Sequence, residues 1–355
     1  MNARDNDTTD SSQSPISTRR APTMKDVARL ANVSLGTVSR VVNDNPTVAA
    51  ENRLQVLKAV KELGYRPNAV AQSMRTTETK VVACVVPDVN NPINAAILQA
   101  AERRLSEFGY TLFIASTDGN ADRELAVVEA FARRRVDGLI CVFSNETNPA
   151  LLEILSESRL PLVLMEREME LACDSIAADH RQGMRDATES LLAQGHRRIA
   201  IIAGSPFNRT GRERLAGYKE ALGVAGIDLE PVLIRTGNLT PAYAAGETEA
   251  LMKLSAPPTA IISAGNRTLV GVLRALRMLG KNIPADVSLI AAGESEVAEL
   301  TSPPISIIRW DLQEFGRTAA DLMMNRLASV DNPWRRVVVR TDLIMRKSTR
   351  APSSA

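Results

Sequence analysis

MKDVARLANVSLGTVSRVVN, at residues 24–43, contains two short segments that each have apolar residues on one helical face, with a turn between them. Thr23 can cap a helix that begins at Met24, and Ser34 can cap a second helix. Both predictions follow because a hydroxyl at the N-cap accepts a hydrogen bond from the first backbone N–H groups of a helix. The stretch therefore predicts two short helices joined by a tight turn.

A third helix is predicted from about Glu51 to Leu63, where apolar residues recur at helical spacing. Gly64 follows it and is typical of the residue just past a helix C-terminus. Three short helices, of which the first two are joined by a tight turn, are typical of a helix-turn-helix unit. We place this unit at residues 23–67.

Polar segments flank the unit. Residues 1–22 are rich in Ser, Thr and Asp and hold too little apolar surface to offset the entropy of ordering, so they predict a disordered tail. Residues 68–80 predict a hinge helix too short to be stable alone, followed by a polar linker. Residues 350–355 predict a second tail.

The rest of the chain contains one pattern twice, in which short apolar runs alternate with helical segments. Such runs are typical of parallel strands that are buried on both faces of a sheet. They lie at 81–87, 111–117, 138–143 and 161–166, and again at 198–204, 231–237, 260–265 and 288–293. Helices are predicted to begin near Ile93, Arg123, Pro149, Arg212, Ala242 and Thr268, with further helices at 179–194 and 312–327 and a final strand at 336–346.

This pattern predicts an α/β fold, with an N-terminal helix-turn-helix headpiece and a two-lobed core of doubly wound parallel sheets at 81–349. We place lobe 1 at about 81–179 and 309–330, and lobe 2 at about 180–308 and 331–349. The carboxyl ends of the strands of both lobes should face a shared cleft.

Composition restricts the class of protein. The 355 residues suggest two or three folding units, and no apolar run approaches the ~20 residues that cross a bilayer. No hydrophobic signal segment stands at the N-terminus, so we do not expect export. The cysteines form no CxxC pair and are expected to be reduced and structural: they are Cys84, Cys141 and Cys173.

Charge is uneven along the chain, although the net charge is only +2. Residues 24–75 carry eight Lys and Arg against four Asp and Glu. A basic segment of this kind suits contact with the phosphates of nucleic acid, although a merely solvated basic face would give the same count.

Catalytic motifs are absent from the sequence. It has no glycine-rich nucleotide-binding motif, no nucleophile elbow and no HExxH string, and neither His180 nor His196 has an obvious catalytic partner. We therefore expect no enzyme, no cofactor and no metal site, and we interpret both histidines as structural.

The headpiece string, continued by ELGYRPNAVAQSMR, resembles the DNA-binding head of the lactose-repressor (LacI) family. The resemblance covers residues 23 to about 349 and continues in VVPDVNNP, RRRVDGLI, LLAQGHRRIAIIAG, RERLAGYKEAL, RMLGKNIPADVSLI, SPPISII and LIMRKST. It implies a cytoplasmic, nucleoid-associated transcriptional regulator of the repressor type with a periplasmic-binding-protein-like core. Its implied partners are a second copy of the chain, a pseudo-palindromic operator in double-stranded DNA, and a small-molecule effector between the lobes.

The resemblance also implies that the helix after Ser34 lies in the major groove. Arg40 can donate two hydrogen bonds to a guanine edge, and Thr37 and Ser39 can reach a base or a phosphate. Alternatively, Thr37 and Ser39 serve only as cap and helix-surface residues. The implied DNA contacts are Lys25, Ser34, Leu35, Gly36, Thr37, Ser39, Arg40, Asn43, Asn68, Ala71 and Met74.

Met74 stands where the family usually has a leucine that wedges into the minor groove and kinks the duplex. It is apolar and flexible enough for this role, so Met74→Gly should weaken operator binding. The alternative is that Met74 only packs within the linker.

Motif matching implies an effector site in the cleft, made of Asn94, Asn208, Thr210, Arg214, Leu239, Asn266, Gly293, Glu294 and Trp310. Arg214 matches an arginine that usually grips the effector, but Asn94 and Leu239 replace aromatic residues, and Gly293 replaces an aspartate. Without that aspartate, a desolvated guanidinium lacks a counter-charge, which favours an anionic effector such as an organic acid or a sugar phosphate. Alternatively, Glu294 turns inward to pair with Arg214 and the effector is a neutral sugar.

Two other classes of protein share parts of this pattern. A solute-binding protein without a DNA function would have the same core, but the intact headpiece argues against it. An enzyme with a doubly wound core is disfavoured by the missing catalytic motifs. The C-terminal STRAPSSA lacks a leucine heptad, so we expect a dimer formed through the core, with a core-mediated tetramer as the alternative.

Overall fold

The computed structural model describes residues 22–66 and 78–352, and the chain divides after Thr79 into two compact units. We call the smaller unit the headpiece and the larger one the core. The predicted N-terminal tail up to residue 21 and most of the predicted hinge lie outside the described residues. Within the described part of the chain, no helix is long and apolar enough to cross a membrane.

The headpiece contains three helices where the sequence predicts them: α1 (Met24–Leu30), α2 (Leu35–Val42) and α3 (Ala50–Leu63). Thr23 caps α1 reciprocally, since its hydroxyl accepts a hydrogen bond from the Asp26 N–H while the Asp26 carboxylate accepts one from the Thr23 N–H at 2.9 Å. Gly64 ends α3 with φ of 62°, a left-handed conformation that costs glycine little.

A small apolar core holds the three helices together. Val60 and Leu63, which the spacing predicts to face inward, are only partly buried, because the stripe of α3 that packs on α1 and α2 is centred on Val56 and Ala59. The buried members are Val27, Ala31, Val38, Val41, Val56, Ala59 and Tyr65.

Twelve strands form the sheets of the described core. They are β1 (Val81–Val86), β2 (Thr111–Ser116), β3 (Gly138–Cys141), β4 (Leu162–Met165), β5 (Asp174–Ala178), β6 (Ile199–Ala203), β7 (Ile234–Thr236), β8 (Ala260–Ser263), β9 (Ser288–Ala292), β10 (Ser306–Arg309), β11 (Arg336–Val339) and β12 (Asp342–Ile344). One sheet has the order β11-β5-β4-β3-β1-β2 and the other β12-β10-β9-β8-β6-β7. Neighbouring strands are parallel except for the antiparallel pair β10 and β12.

Helices connect the strands and cover the sheets. They are α4 (Pro92–Glu107), α5 (Ala121–Arg133), α6 (Pro149–Ser158), α7 (His180–Ala193), α8 (Arg209–Val224), α9 (Pro241–Met252), α10 (Asn266–Met278), α11 (Glu296–Leu300) and α12 (Leu312–Ala328). Each sheet has a separate apolar cluster on each face, with α4 and α12 on one face of the first sheet and α5 and α6 on the other. In the second sheet α9 and α10 cover one face, and α7 and α8 cover the other. The predicted pair of doubly wound lobes is confirmed.

The final predicted strand at 336–346 is wrong as a single element. Its first part, β11, pairs with β5 in lobe 1, and its second part, β12, pairs with β10 in lobe 2. Between them, the hydroxyl of Thr341 donates a hydrogen bond to the carbonyl of Asp179 at 3.1 Å, where another segment also crosses between the lobes. The placement of residues 331–349 in lobe 2 is therefore wrong for β11.

Strand β5 is not predicted by the apolar pattern, because it begins with a buried charge. The Asp174 carboxylate accepts a hydrogen bond from Arg326 Nε at 2.9 Å, and each of these side chains is 3% exposed. Arg326 lies on α12, far away in sequence, so this partner is visible only in the folded chain. Strand β10 and the short helix α11 were also missed.

Candidate functional site

The first candidate site is the exposed face of α2 in the headpiece. Val38 and Val41 point into the headpiece core, so the opposite side of the helix faces outward. Of the residues implied to contact DNA, the exposed ones are Lys25, Ser34, Leu35, Gly36, Arg40 and Asn43, and the half-buried ones are Thr37 and Ser39.

Ser34 has a structural role that does not depend on DNA. Its hydroxyl accepts a hydrogen bond from the Thr37 N–H at 3.1 Å and lies 2.9 Å from the Thr37 hydroxyl. The Arg40 backbone carbonyl accepts a hydrogen bond from the Asn45 N–H, but its side chain has no hydrogen bond or ion pair within the described headpiece, so the guanidinium is available to a ligand. Three further implied contacts lie outside the described residues: they are Asn68, Ala71 and Met74.

The second candidate site is a cleft of about 690 Å³ between the two lobes of the core. It lies at the carboxyl ends of the strands, as is usual for open α/β sheets. Lobe 1 contributes the segments after β1, β2, β3, β4 and β5, together with Trp310 and Phe315 at the start of α12, and lobe 2 contributes the segments after β6, β7 and β8.

The structure brings seven of the nine implied effector residues to this cleft: Asn94, Asn208, Thr210, Arg214, Leu239, Asn266 and Trp310. Some of them have structural partners as well. The Asn94 amide donates to the Asp88 carbonyl at 2.8 Å, and the Asn208 side chain caps α8 by accepting from the Gly211 N–H at 3.0 Å.

Gly293 and Glu294 do not line the cleft. Gly293 has φ of 94°, and a Cβ built on it would lie 2.5 Å from Ile93 Cδ1, so the isoleucine occupies the space that a side chain there would need. Glu294 is paired with Arg346, with 3.4 Å between its carboxylate and the guanidinium. The alternative in which Glu294 turns inward to pair with Arg214 is therefore wrong.

Arg214 is a buried cation, 4% exposed, on α8 at the lobe 2 side of the cleft. Its Nη1 donates to the Ala264 carbonyl, and its Nε has no hydrogen-bond partner among the described residues. Burial lowers the pKa of Arg214 to about 10, although the nearby Glu166 carboxylate opposes this shift. No carboxylate of the described chain lies within ion-pair distance of Arg214, so its charge is incompletely compensated.

Glu166 and His180 are cleft residues that the sequence reasoning did not assign to the site. They follow β4 and β5, and His180 Nε2 lies 2.7 Å from a Glu166 carboxylate oxygen. The His180 ring also meets the Trp310 ring edge-on, with 5.2 Å between the ring centres. Glu166 could have been found from its position at the end of a predicted strand, whereas His180 follows β5, which the apolar pattern does not predict.

Burial lowers the pKa of His180 and of His196. In the unfolded chain both rings therefore take up protons at a higher pH than in the folded chain, so stability is full above about pH 6.5 and decreases as the pH falls. Burial disfavours the charged carboxylate of Glu166, but His180 and Arg214 favour it more strongly, so the pKa of Glu166 is held below its usual range. Protonation of Glu166 at low pH therefore also lowers the stability of the folded chain.

We expect the melting temperature of the ligand-free protein to change little from pH 7.5 to about pH 6.5 and then to fall increasingly steeply towards pH 5.5, at ~2–4 °C for each kcal/mol lost. Thermal unfolding at half-unit pH steps would measure this slope. A His180→Gln variant should show a shallower slope, because its side chain no longer takes up a proton on unfolding. An equal slope in the variant and the parent protein would exclude His180 as a source of the pH dependence.

Three N–H groups of the cleft residues have no hydrogen-bond partner among the described residues. They belong to Arg214 (Nε), Asn266 (Nδ2) and Trp310 (Nε1), whose side chains are 4%, 5% and 7% exposed. A buried donor without a partner is costly, so a molecule that reaches these atoms with acceptors would relieve that cost. The described residues contain no cluster of three side chains that could hold a metal ion.

Glu146 joins the two lobes at the start of α8. Its buried carboxylate belongs to lobe 1, accepts a hydrogen bond from the Arg209 N–H at 2.7 Å and lies 2.8 Å from Arg212 Nη1. It also accepts from the Glu168 N–H at 3.1 Å within its own lobe. A carboxylate at a helix N-terminus is favoured by the helix dipole, so this contact stabilises the present arrangement of the lobes.

We expect Glu146→Gln to lower the free energy of unfolding of the ligand-free protein by about 1 kcal/mol, because charge-assisted hydrogen bonds become neutral ones. Urea unfolding monitored by tryptophan fluorescence would measure the loss. Glu157→Gln, on the exposed side of α6, is the matched control and should change stability by less than about 0.5 kcal/mol. Equal stability of the two variants would contradict a role of Glu146 in joining the lobes.

Comparison with known proteins agrees with both sites. Residues 23–68 match the family model for bacterial regulatory proteins of the lacI family, and residues 188–349 match the model for a periplasmic binding protein-like domain. A solved structure of the lac repressor dimer bound to operator and the anti-inducer ONPF has a TM-score of 0.83 at 26% identity, over 94% of this chain and 100% of that one.

Two relatives are similar over nearly their whole length. The chain is 34% identical over 327 residues to the ribose operon repressor of Haemophilus influenzae, covering 92% of this chain and 98% of that protein. It is 33% identical over 338 residues to the HTH-type transcriptional regulator CelR of Thermobifida fusca, covering 93% and 99%. Since these relatives regulate transcription, the chain is a DNA-binding regulator and not an enzyme. It belongs to the LacI family of bacterial transcriptional regulators.

Proposed function

We propose that this regulator represses transcription as a homodimer that reads a pseudo-palindromic operator through α2 and responds to a small molecule bound in the cleft. The observation that carries the proposal is the pairing, on one chain, of an exposed α2 with a cleft that has unpartnered donors. As a DNA-binding regulator, it would act in the cytoplasm at the nucleoid.

The DNA-reading part of the proposal is supported by the chemistry of α2. Arg40 is exposed and without a described partner, and an arginine can donate two parallel hydrogen bonds to a guanine edge. Leu35 is 44% exposed, and an apolar side chain here can contact a thymine methyl group. Thr37, Ser39 and Lys25 are placed to contact bases or phosphates beside them.

The proposed minor-groove contacts are Asn68, Ala71 and Met74, with Met74 as the wedge at the operator centre. They lie outside the described residues, so this part of the proposal rests on the family resemblance alone.

The effector, we propose, is an anion: a small acid or a phosphorylated sugar. Arg214 supports this assignment, because its buried guanidinium lacks an ion-pair partner in the described chain and Glu294 is occupied by Arg346. A neutral sugar is the second candidate, because the relative CelR has been solved as a cellobiose complex. A thermal-shift screen in which only neutral sugars stabilise the protein would exclude the anionic effector.

The proposed dimer forms through the core. Two subunits hold two α2 helices at a fixed separation, which matches half-sites about one helical turn apart in the operator. Light scattering of the purified protein should give the mass of two chains at micromolar concentration.

Selection of bound fragments from sheared genomic DNA tests the DNA-reading function. We expect a small set of fragments to be enriched over random competitor at physiological salt, and these fragments should share a palindromic element. If the folded protein prefers no fragment, with or without added metabolites, the proposed function is wrong.

A further inference from the structure

The lobe 1 wall of the cleft contains an apolar patch. On the lobe 1 side, a continuous apolar cluster of the core reaches the cleft through Ile97, Val142, Met165, Trp310 and Phe315, with Ile93 packed against it. The lobe 2 side is mostly polar, with Asn208, Thr210, Arg214 and Asn266 among its side chains, and Leu239 is its apolar side chain. The lobe 1 wall also carries polar side chains, among them Asn94, Glu166 and His180, so a molecule that fills the cleft meets hydrocarbon over only part of this wall.

The acidic groups of the cleft already have partners. The Asp88 carboxylate lies 3.1 Å from the guanidinium of Arg267, Asp118 is paired with Arg123, and Glu166 lies 2.7 Å from His180. These carboxylates are therefore less available to accept hydrogen bonds from the hydroxyl groups of a sugar.

The cationic groups are less well satisfied. Arg214 Nε has no described partner, and Arg167, which also lines the cleft, is bonded only to backbone carbonyls and to the Thr210 hydroxyl at 3.3 Å. Neither guanidinium has a carboxylate within ion-pair distance in the described chain. What the cleft lacks is thus an anionic acceptor and not a hydrogen-bond donor.

Ile93 lies near Asn266, one of the cleft residues with an unpartnered N–H group. Ile93 Cδ1 lies 2.5 Å from the position that a Cβ on Gly293 would occupy. The Cβ of Asn266 lies 3.9 Å from that same built position. The hydrocarbon of Ile93 therefore lies close to the Asn266 side chain, and a hydroxyl-covered ligand would place polar groups against Ile93 without partners.

We infer that the effector is a small carboxylic acid with a hydrocarbon body, aliphatic or aromatic, and not a sugar or a sugar phosphate. Its carboxylate accepts hydrogen bonds from Arg214, Asn266 and Trp310, and its body packs against Ile93 and the apolar cluster of lobe 1. The inference rests on the proposed role of the cleft as the effector site and specifies what that site binds.

Probes that differ in one property test the inference on the full-length protein. Hexanoate, cyclohexanecarboxylate and phenylacetate have both a charge and a hydrocarbon body, cyclohexanecarboxamide keeps the body without the charge, and gluconate keeps the charge without the body. Thermal shift and calorimetric titration should show binding by at least one of the three hydrocarbon acids. We expect the amide and gluconate to bind at least 10-fold more weakly than the best acid.

Two variants connect the binding to the two walls. Ile93→Asn should lower the affinity for the best hydrocarbon acid at least 10-fold and bring it closer to the affinity for gluconate. Arg214→Gln should make the affinity for the best acid equal to the affinity for the amide. Leu300→Asn, on a side chain that is 81% exposed and outside the cleft, is the control and should leave binding unchanged.

The inference is overturned if none of the three hydrocarbon acids binds at millimolar concentration, or if gluconate, glucose 6-phosphate or cellobiose binds more tightly than all of them. The genomic selection, done with the same preparation, separates this failure from failure of the proposed function. If fragments are enriched but no acid binds, the chain is a DNA-binding regulator and the proposed class of effector is wrong. If an acid binds but no fragment is enriched, the proposed class of ligand stands and the proposed DNA-reading function is wrong.

Discussion

Replacing Arg214 by methionine is expected to weaken effector binding about 100-fold while leaving the free energy of unfolding of the ligand-free protein unchanged or higher. The first effect follows because truncating one partner of a buried charged hydrogen bond costs ~2–5 kcal/mol of binding energy. The second follows because Arg214 is buried with one described hydrogen bond and no ion pair. Methionine fills a similar volume without a charge, and such replacements of buried charges are often neutral or stabilising.

Calorimetric titration with the effector and urea unfolding without it would measure the two effects. Arg274→Met removes an exposed arginine of α10 that does not line the cleft, so it should change neither quantity. Operator binding without effector should also persist in the Arg214 variant, giving a regulator that no longer responds. Unchanged effector affinity, or a loss of stability above about 2 kcal/mol, would show that Arg214 serves the fold instead of the ligand.

The buried charge of Arg214 destabilises the free protein and stabilises the complex with the effector. The free energy of unfolding of the ligand-free core is lower because Arg214 Nε and the N–H groups of Asn266 and Trp310 lack described partners. Functional sites commonly reduce stability in this way, because groups arranged for a ligand are poorly satisfied without it. The same residues therefore determine both the specificity of the cleft and its stability when empty.

The fold was predictable where local pattern and burial agree. Strands such as β1 and β6 are continuous apolar runs, because both faces of a parallel sheet are covered by helices, and the headpiece helices carry their caps in the adjacent residues. Strand β5 was missed because its first residue, Asp174, is buried only by virtue of Arg326 on α12. The run at 336–346 looks uniform in sequence, yet it crosses between the lobes at Thr341, whose contact with Asp179 is non-local.

The candidate sites were predictable to different degrees. The face of α2 follows from local helical periodicity, since burying Val38 and Val41 leaves Arg40 and Leu35 outside. The cleft could be approached only through the family resemblance, and the pairing of Glu166 with His180 was not visible, because it depends on two strand ends meeting. The position of Gly293 beside Ile93 likewise requires the arrangement of both lobes.

Replacing Arg40 by alanine is expected to lower operator affinity by about 10–100-fold, because one bidentate arginine–guanine contact contributes ~1–3 kcal/mol of discrimination. The headpiece should remain folded, since the side chain is exposed and has no described partner, and alanine is the best helix former. Fluorescence anisotropy with the selected operator and with a scrambled duplex, over a range of salt concentrations, would measure both affinity and specificity.

The matched control is Arg29→Ala, which removes the same charge from an exposed position on α1. Loss of a charge alone weakens binding to every duplex about equally and reduces the salt dependence, whereas loss of a base contact weakens the operator more than the scrambled duplex. We therefore expect the ratio of operator to scrambled affinity to fall in the Arg40 variant and to stay constant in the Arg29 variant. If both variants lower the two affinities equally, Arg40 contacts phosphate, and the specificity of α2 must come from Leu35, Thr37 and Ser39.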